Sequence, residues 1–153
     1  MNPQAAHYTL MGLETLSLRM QRHCDNAMKI ATWLEEQETV EAVTYAGLKS
    51  SQYFDRVKKV CPKGAGGLFT VALKGGYDSC IKFVNALEIF SHVSNLGDSR
   101  SLVIHTASTT HRQLTVEQQI AAGSAPNVVR ISIGIEDPDD LMADLKQALA
   151  TAK

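Results

Sequence analysis

The chain has 153 residues, enough for one domain that buries roughly two thirds of the surface of its unfolded form. Its 15 Lys and Arg against 16 Asp and Glu leave a formal charge of −1, with no basic excess to point to nucleic acid or an acidic membrane. A hydrophobic content of 44% with 10 Gly and 4 Pro is ordinary globular composition, and no apolar run nears the ~18 residues of a membrane span. The N-terminus, MNPQAAHYTL, lacks a charged segment followed by an apolar one. Cys24, Cys61 and Cys80 are odd in number and fit no CxxC spacing, so free thiols in a reducing cytoplasm are expected.

The first thirty-odd residues predict one long helix. Leu10, Leu13, Leu16, Met20, Cys24, Ala27, Ala31 and Leu34 recur at steps of three and four, a continuous apolar stripe. At ~1.5 Å per residue the helix would span about 35 to 40 Å, longer than a domain of this size needs, so its N-terminal end is expected to rest on something outside the core. Pro3 and the residues before Leu10 read as a lead-in rather than a finished cap.

VEAVTY (40–45) is a strand candidate closed by Gly47. Ser50 or Ser51 then caps a short helix carrying Tyr53, Phe54, Val57 and Val60, which Pro62 stops. KGAGG (63–67) is a hinge into the strand LFTVAL (68–73), whose Phe69, Val71 and Leu73 share a face. These glycines lack Walker spacing and precede a strand, so they favour close backbone approach over phosphate binding. Gly75-Gly76 leads into a helix over 77–90, with Cys80, Phe83, Val84 and Leu87 on one side. SHVSN (91–95) and SLVIH (101–105) predict two short strands around the turn LGDSR, and TASTTH (106–111) is irregular. Thr115 and Gln118 form a capping box for a brief helix that Gly123 ends. Asp137-Pro138 starts the last helix, docked by Leu141, Leu145 and Leu149.

Between them lies NVVRISIGIED (127–137), a β-branched run of the kind that fills a covered strand, with Arg130 in its middle. A guanidinium keeps its charge and is costly to bury unpaired, so the run must bring a carboxylate or phosphate to it. The simple reading is an Arg that reaches water or pairs with Glu136 or Asp137; the functional one is bidentate capture of a ligand carboxylate. Other chemistry is sparse. His92, His105 and His111 lack supporting ligands at metal spacing, and Ser108 to His111 read as loop-stabilising hydroxyls beside a structural His. Asp98 and Arg100 make a solvated pair at a turn, while Asn95 either forms that turn or offers an amide to a pocket edge. The sum of elements is an α/β (α+β) two-layer sandwich of a small mixed or antiparallel sheet with helices on one face.

Four stretches in order, GLETLSLRMQRHCDNAMKIATWLE (12–35), KGAGGLFTVAL (63–73), SNLGDSRSLVIHTASTTHRQL (94–114) and VVRISIGIEDPDDLMADLKQAL (128–149), closely resemble the C-terminal small domain of the cysteine/methionine-metabolism family of fold-type I pyridoxal-phosphate enzymes. Asn95 before Leu96-Gly97-Asp98, together with STTHRQL, is most similar to the O-acetylhomoserine sulfhydrylase branch, whereas the lyases usually have Ser at the Asn95 position. The resemblance implies that Arg130, in V-R-x-S-x-G-I-E, binds the substrate α-carboxylate, with Asn95 and the backbone at Leu96 beside it. It implies pyridoxal phosphate as cofactor of the full-length enzyme, an O-acylated homoserine and a thiol or sulfide as substrates, and γ-replacement in methionine biosynthesis. It also implies a homo-oligomer in the cytoplasm, with no nucleic acid or membrane partner.

Two departures qualify this. Thr106 stands where the family commonly has Pro after His, which predicts a looser loop toward His111. More important, nothing here resembles the Schiff-base lysine, phosphate cup or pyridine-facing Asp of the family's large domain. The expectation is therefore a connector helix over 1–36 leading in from a missing large domain, then a small domain over 37–153. Alone, such a chain should bind no cofactor and be inactive. The alternatives are a cystathionine or methionine γ-lyase or γ-synthase of the same family, or a stand-alone amino-acid-binding or interaction module.

Overall fold

Strict alternation builds the middle of the sheet. In β2 (Leu68–Leu73) and β5 (Val128–Ser132), Phe69, Val71, Leu73, Val129 and Ile131 turn to one side, and none is more than 2% exposed. The strands pair antiparallel, with Phe69 opposite Ile131 and Thr70 opposite Arg130. β1 (Val40–Thr44) adds antiparallel to β2 with a register irregularity between Val40 and Ala42. β4 (Leu102–Ile104) adds antiparallel to β5, and β3 (Ser91–His92) runs parallel to β4. The order β1-β2-β5-β4-β3 makes a mixed five-stranded sheet with β5 at its centre. This computed structural model describes residues 1–152.

Three helices supply the second layer. α2 (Leu16–Glu35) buries Ala27, Ile30, Ala31 and Leu34, α4 (Gly76–Ala86) buries Cys80, Phe83 and Val84, and α6 (Pro138–Thr151) buries Leu141, Leu145, Ala148 and Leu149. They meet the inward strand residues in one apolar cluster, where each large side chain contributes roughly 1.5–3 kcal/mol by leaving water. Asp137 caps α6 by accepting from the Asp139 N–H at 2.8 Å, with Pro138 in the first turn. Two shorter helices, α3 (Phe54–Val60) and α5 (Val116–Ala121), lie on connections, α5 behind the expected Thr115–Gln118 capping box. Among the described residues no helix is long and apolar enough to cross a membrane.

The structure departs from the sequence reading at five places. The long helix is broken at Thr15 (φ −104°, ψ 3°), giving α1 (Pro3–Glu14) and then α2. Gly12 weakens the last turn of α1, and the Arg19 guanidinium takes its carbonyl at 2.6 Å. The start of α1 is a finished cap, not a lead-in: Asn2 Oδ1 accepts from the Ala5 N–H at 2.7 Å and Pro3 follows. α4 stops at Ala86 rather than Phe90, because the Asp144 carboxylate takes the Glu88 and Ile89 N–H groups and turns the chain out of the helix. β5 stops at Ser132; the Ile133 N–H still reaches the Gly67 carbonyl at 2.8 Å in the register of β2, and the Ile135 N–H turns to the Ser99 carbonyl at 2.9 Å. The first predicted strand around the 94–101 turn shrinks to Ser91–His92 and lies parallel to β4.

Candidate carboxylate-binding site

Alternation along β5 puts Arg130 and Ser132 on the face opposite Ile131, away from the helical layer. Arg130 is half-buried between its cross-strand neighbours Thr70 and Ile104. Its Nη2 donates to the Asn95 carbonyl at a long 3.4 Å. Among the described residues Arg130 forms no ion pair, and both acids of the simple reading are engaged elsewhere. Glu136 accepts from the Ser101 N–H at 2.6 Å and from its hydroxyl at 2.9 Å, while Asp137 caps α6. A guanidinium with five donors and one long bond to the chain is equipped to take an outside anion.

The loop after β3 brings Asn95 and Leu96 to this face. Asn95 Oδ1 accepts from the Leu96 N–H at 2.9 Å, so the side-chain oxygen closes the turn and its NH2 group is the part able to donate to a ligand. Gly97 takes φ +76°, a value that favours glycine, and its N–H donates to Ser132 Oγ at 3.2 Å. Asp98 accepts from the Arg100 N–H at 3.0 Å, which holds its carboxyl below the usual range, helped by the Arg100 charge. The structure thus brings Arg130, Asn95 and Leu96 together, with the Asn95 main chain rather than its amide facing the guanidinium. Sequence reasoning missed Ser101, Ser132 and Glu136 as the residues that fasten this loop. Ser132 and Glu136 were within the motif, but their partners lie 35 positions away, beyond any local signal.

The other candidates are occupied structurally. His105 is fully enclosed: Nε2 contacts the Pro126 carbonyl at 2.8 Å and Nδ1 the Ser108 hydroxyl at 2.9 Å. Burial holds its pKa below the ordinary 6.5, so it sits neutral. In the loop after it, the Thr106 carbonyl accepts from the Thr109 and His111 N–H groups. Burial pushes the Cys80 thiol up to about 12, which makes it unreactive. Among the described residues no three His, Cys, Asp or Glu converge as metal ligands. A hollow of about 530 Å³ lies beside β1, lined by Glu35, Tyr45 and Tyr53 among others, two strands from Arg130 and without its chemistry.

Comparison with known proteins gives the family. The model of the family described as Cys/Met metabolism PLP-dependent enzyme matches residues 1–150. The chain belongs to that family. O-acetyl-L-homoserine sulfhydrylase 1 of Thermus thermophilus is 46% identical over 150 residues, 98% of this chain and 36% of that protein. L-methionine gamma-lyase of Pseudomonas putida is 41% identical over 149 residues, 97% of this chain and 37% of that protein. A crystal structure described as an O-acetylhomoserine (thiol)-lyase from Campylobacter jejuni, solved with a pyridoxyl-lysine monophosphate, superposes with a TM-score of 0.89 at 42% identity. That likeness covers 97% of this chain and 35% of the other. The chain therefore spans about a third of the length of these family members.

Pyridoxal phosphate is the cofactor of the family. Every described lysine is exposed; Lys29 pairs with Asp139 at 2.6 Å and Lys58 lies over the Phe54 ring. A lysine that carries a Schiff base works from a desolvated pocket, and none of these occupies one.

Proposed function

We propose that this chain is the substrate-carboxylate domain of a pyridoxal-phosphate-dependent O-acetylhomoserine sulfhydrylase-like enzyme, one that replaces the acyl group of an O-acylated homoserine with sulfide or a thiol. The observation that carries the reading is Arg130, fixed on the central strand beside Asn95 and without an acid partner among the described residues. Its fork would hold the α-carboxylate, the Asn95 NH2 group would add a donor, and the strand would fix the orientation of the amino acid. Residues 1–36 would lead in from the remainder of the enzyme and 37–153 would form the small domain. The cofactor would be held outside this chain, which by itself would be inert.

The test is Arg130→Ala in the full-length enzyme. The expected result is a raised KM for O-acetyl-L-homoserine and a kcat/KM lower by roughly 10²-fold, the scale of a lost charge-assisted bidentate contact. Kinetics unchanged from the parent would refute the carboxylate role. The 41% identity to a methionine γ-lyase keeps elimination as the second reading. Assaying homocysteine against α-keto acid production separates replacement from elimination.

A further inference from the structure

The carboxylate site is half strand and half loop, and the two halves are joined by a specific set of bonds. Ser132 Oγ, two residues from Arg130 on the same face, accepts from the Gly97 N–H at 3.2 Å. Glu136 grips the other end of the loop through the Ser101 N–H and hydroxyl, at 2.6 and 2.9 Å. The Ser101 oxygen in turn accepts from the Gly134 N–H at 2.8 Å, and the Ser99 carbonyl accepts from Ile135 at 2.9 Å. Behind this segment, Asn26 donates to the Gly134 and Glu136 carbonyls at 3.1 and 2.9 Å, and His23 Nδ1 lies 2.6 Å from the Ile133 carbonyl. Residues 94–100 lie between β3 and β4, and the Ser101 carbonyl accepts from the Ser91 N–H at 3.0 Å where the ladder resumes, so across the loop itself these bonds set where Asn95 and Leu96 stand relative to Arg130.

We propose that Ser132 and Glu136 are positioning residues for substrate: Ser132 holds Gly97 and Glu136 holds Ser101, and together they fix the Asn95–Leu96 turn at the distance from Arg130 that admits a carboxylate. This rests on the carboxylate reading of Arg130. Neither residue would touch the substrate. Ser132 acts through Gly97, next to the turn, and Glu136 through Ser101, at the far end of the 94–101 loop.

Two measurements test it, with Asp144→Asn as the control for a merely structural effect. Asp144 is a buried acid that, like Glu136, accepts from backbone N–H groups, but it holds Glu88 and Ile89. In amide exchange of the 153-residue chain, Ser132→Ala should speed Gly97, and Glu136→Gln should speed Ser101, each by roughly 10-fold. Asp144→Asn should leave both amides as they were. In the full-length enzyme, Ser132→Ala and Glu136→Gln should raise KM for O-acetyl-L-homoserine roughly 10-fold with kcat changed less than about 3-fold, Ser132→Thr should restore the parent value, and Asp144→Asn should leave KM alone. Unchanged exchange, or an unchanged KM in an enzyme where Arg130→Ala does raise it, overturns the proposal. An Arg130→Ala enzyme with the parent KM instead refutes the carboxylate reading itself, while the exchange result still decides whether the bonds fix the turn.

Discussion

Gly134 shows how closely the strand end and the loop are fitted. A methyl group there would run into the Glu136 carboxylate and the Ser99 carbonyl, and would stand 2.6 Å from the Arg100 carbonyl carbon. Gly134→Ala should therefore cost about 1–3 kcal/mol of stability, read by urea unfolding, even though its backbone angles suit any residue. His105 carries a pH dependence. Its folded pKa lies below the ordinary 6.5, so the unfolded chain takes up the proton first as pH falls. Stability from this group is complete above about pH 6.5 and declines below it as the pH falls through the folded pKa. Urea unfolding at pH 7.5 and 5.5 should show that loss, and His105→Gln should reduce the difference between the two.

At the scale of elements, α1 and α2 share one apolar stripe but not one environment. Leu10 and Leu13 are 63% and 54% exposed, whereas Ile30 and Leu34 are wholly buried. Ile30→Ala should cost about 2–5 kcal/mol in urea unfolding. Leu10→Ser should change stability by no more than about 0.5 kcal/mol. The periodicity was readable because it follows from helix geometry whichever surface covers it. The break at Thr15 was not, since it depends on the Arg19 side chain reaching back to the Gly12 carbonyl. α4 repeats the lesson: its apolar spacing runs on, but an acid from α6, 56 positions away, ends it early.

For the whole molecule, the two-layer plan was legible because β2, β5 and α6 write their buried faces in local periods of two and about 3.6. Arg130 stood out because a permanent charge in a β-branched run demands a partner. The parallel pairing of β3 with β4 had no local signal, as strand direction is decided by where the intervening loop is fastened. The fasteners themselves, Ser101, Ser132 and Glu136, escaped for the same reason.

Arg130 is flanked by a strand on either side, with hydrogen-bonded ladders reaching both Thr70 and Ile104. Such a mooring has little freedom to swing. If a small acid is to come and go, the yielding has to happen in the 94–101 stretch opposite, and the residence time of that guest becomes a property of the loop rather than of the arginine.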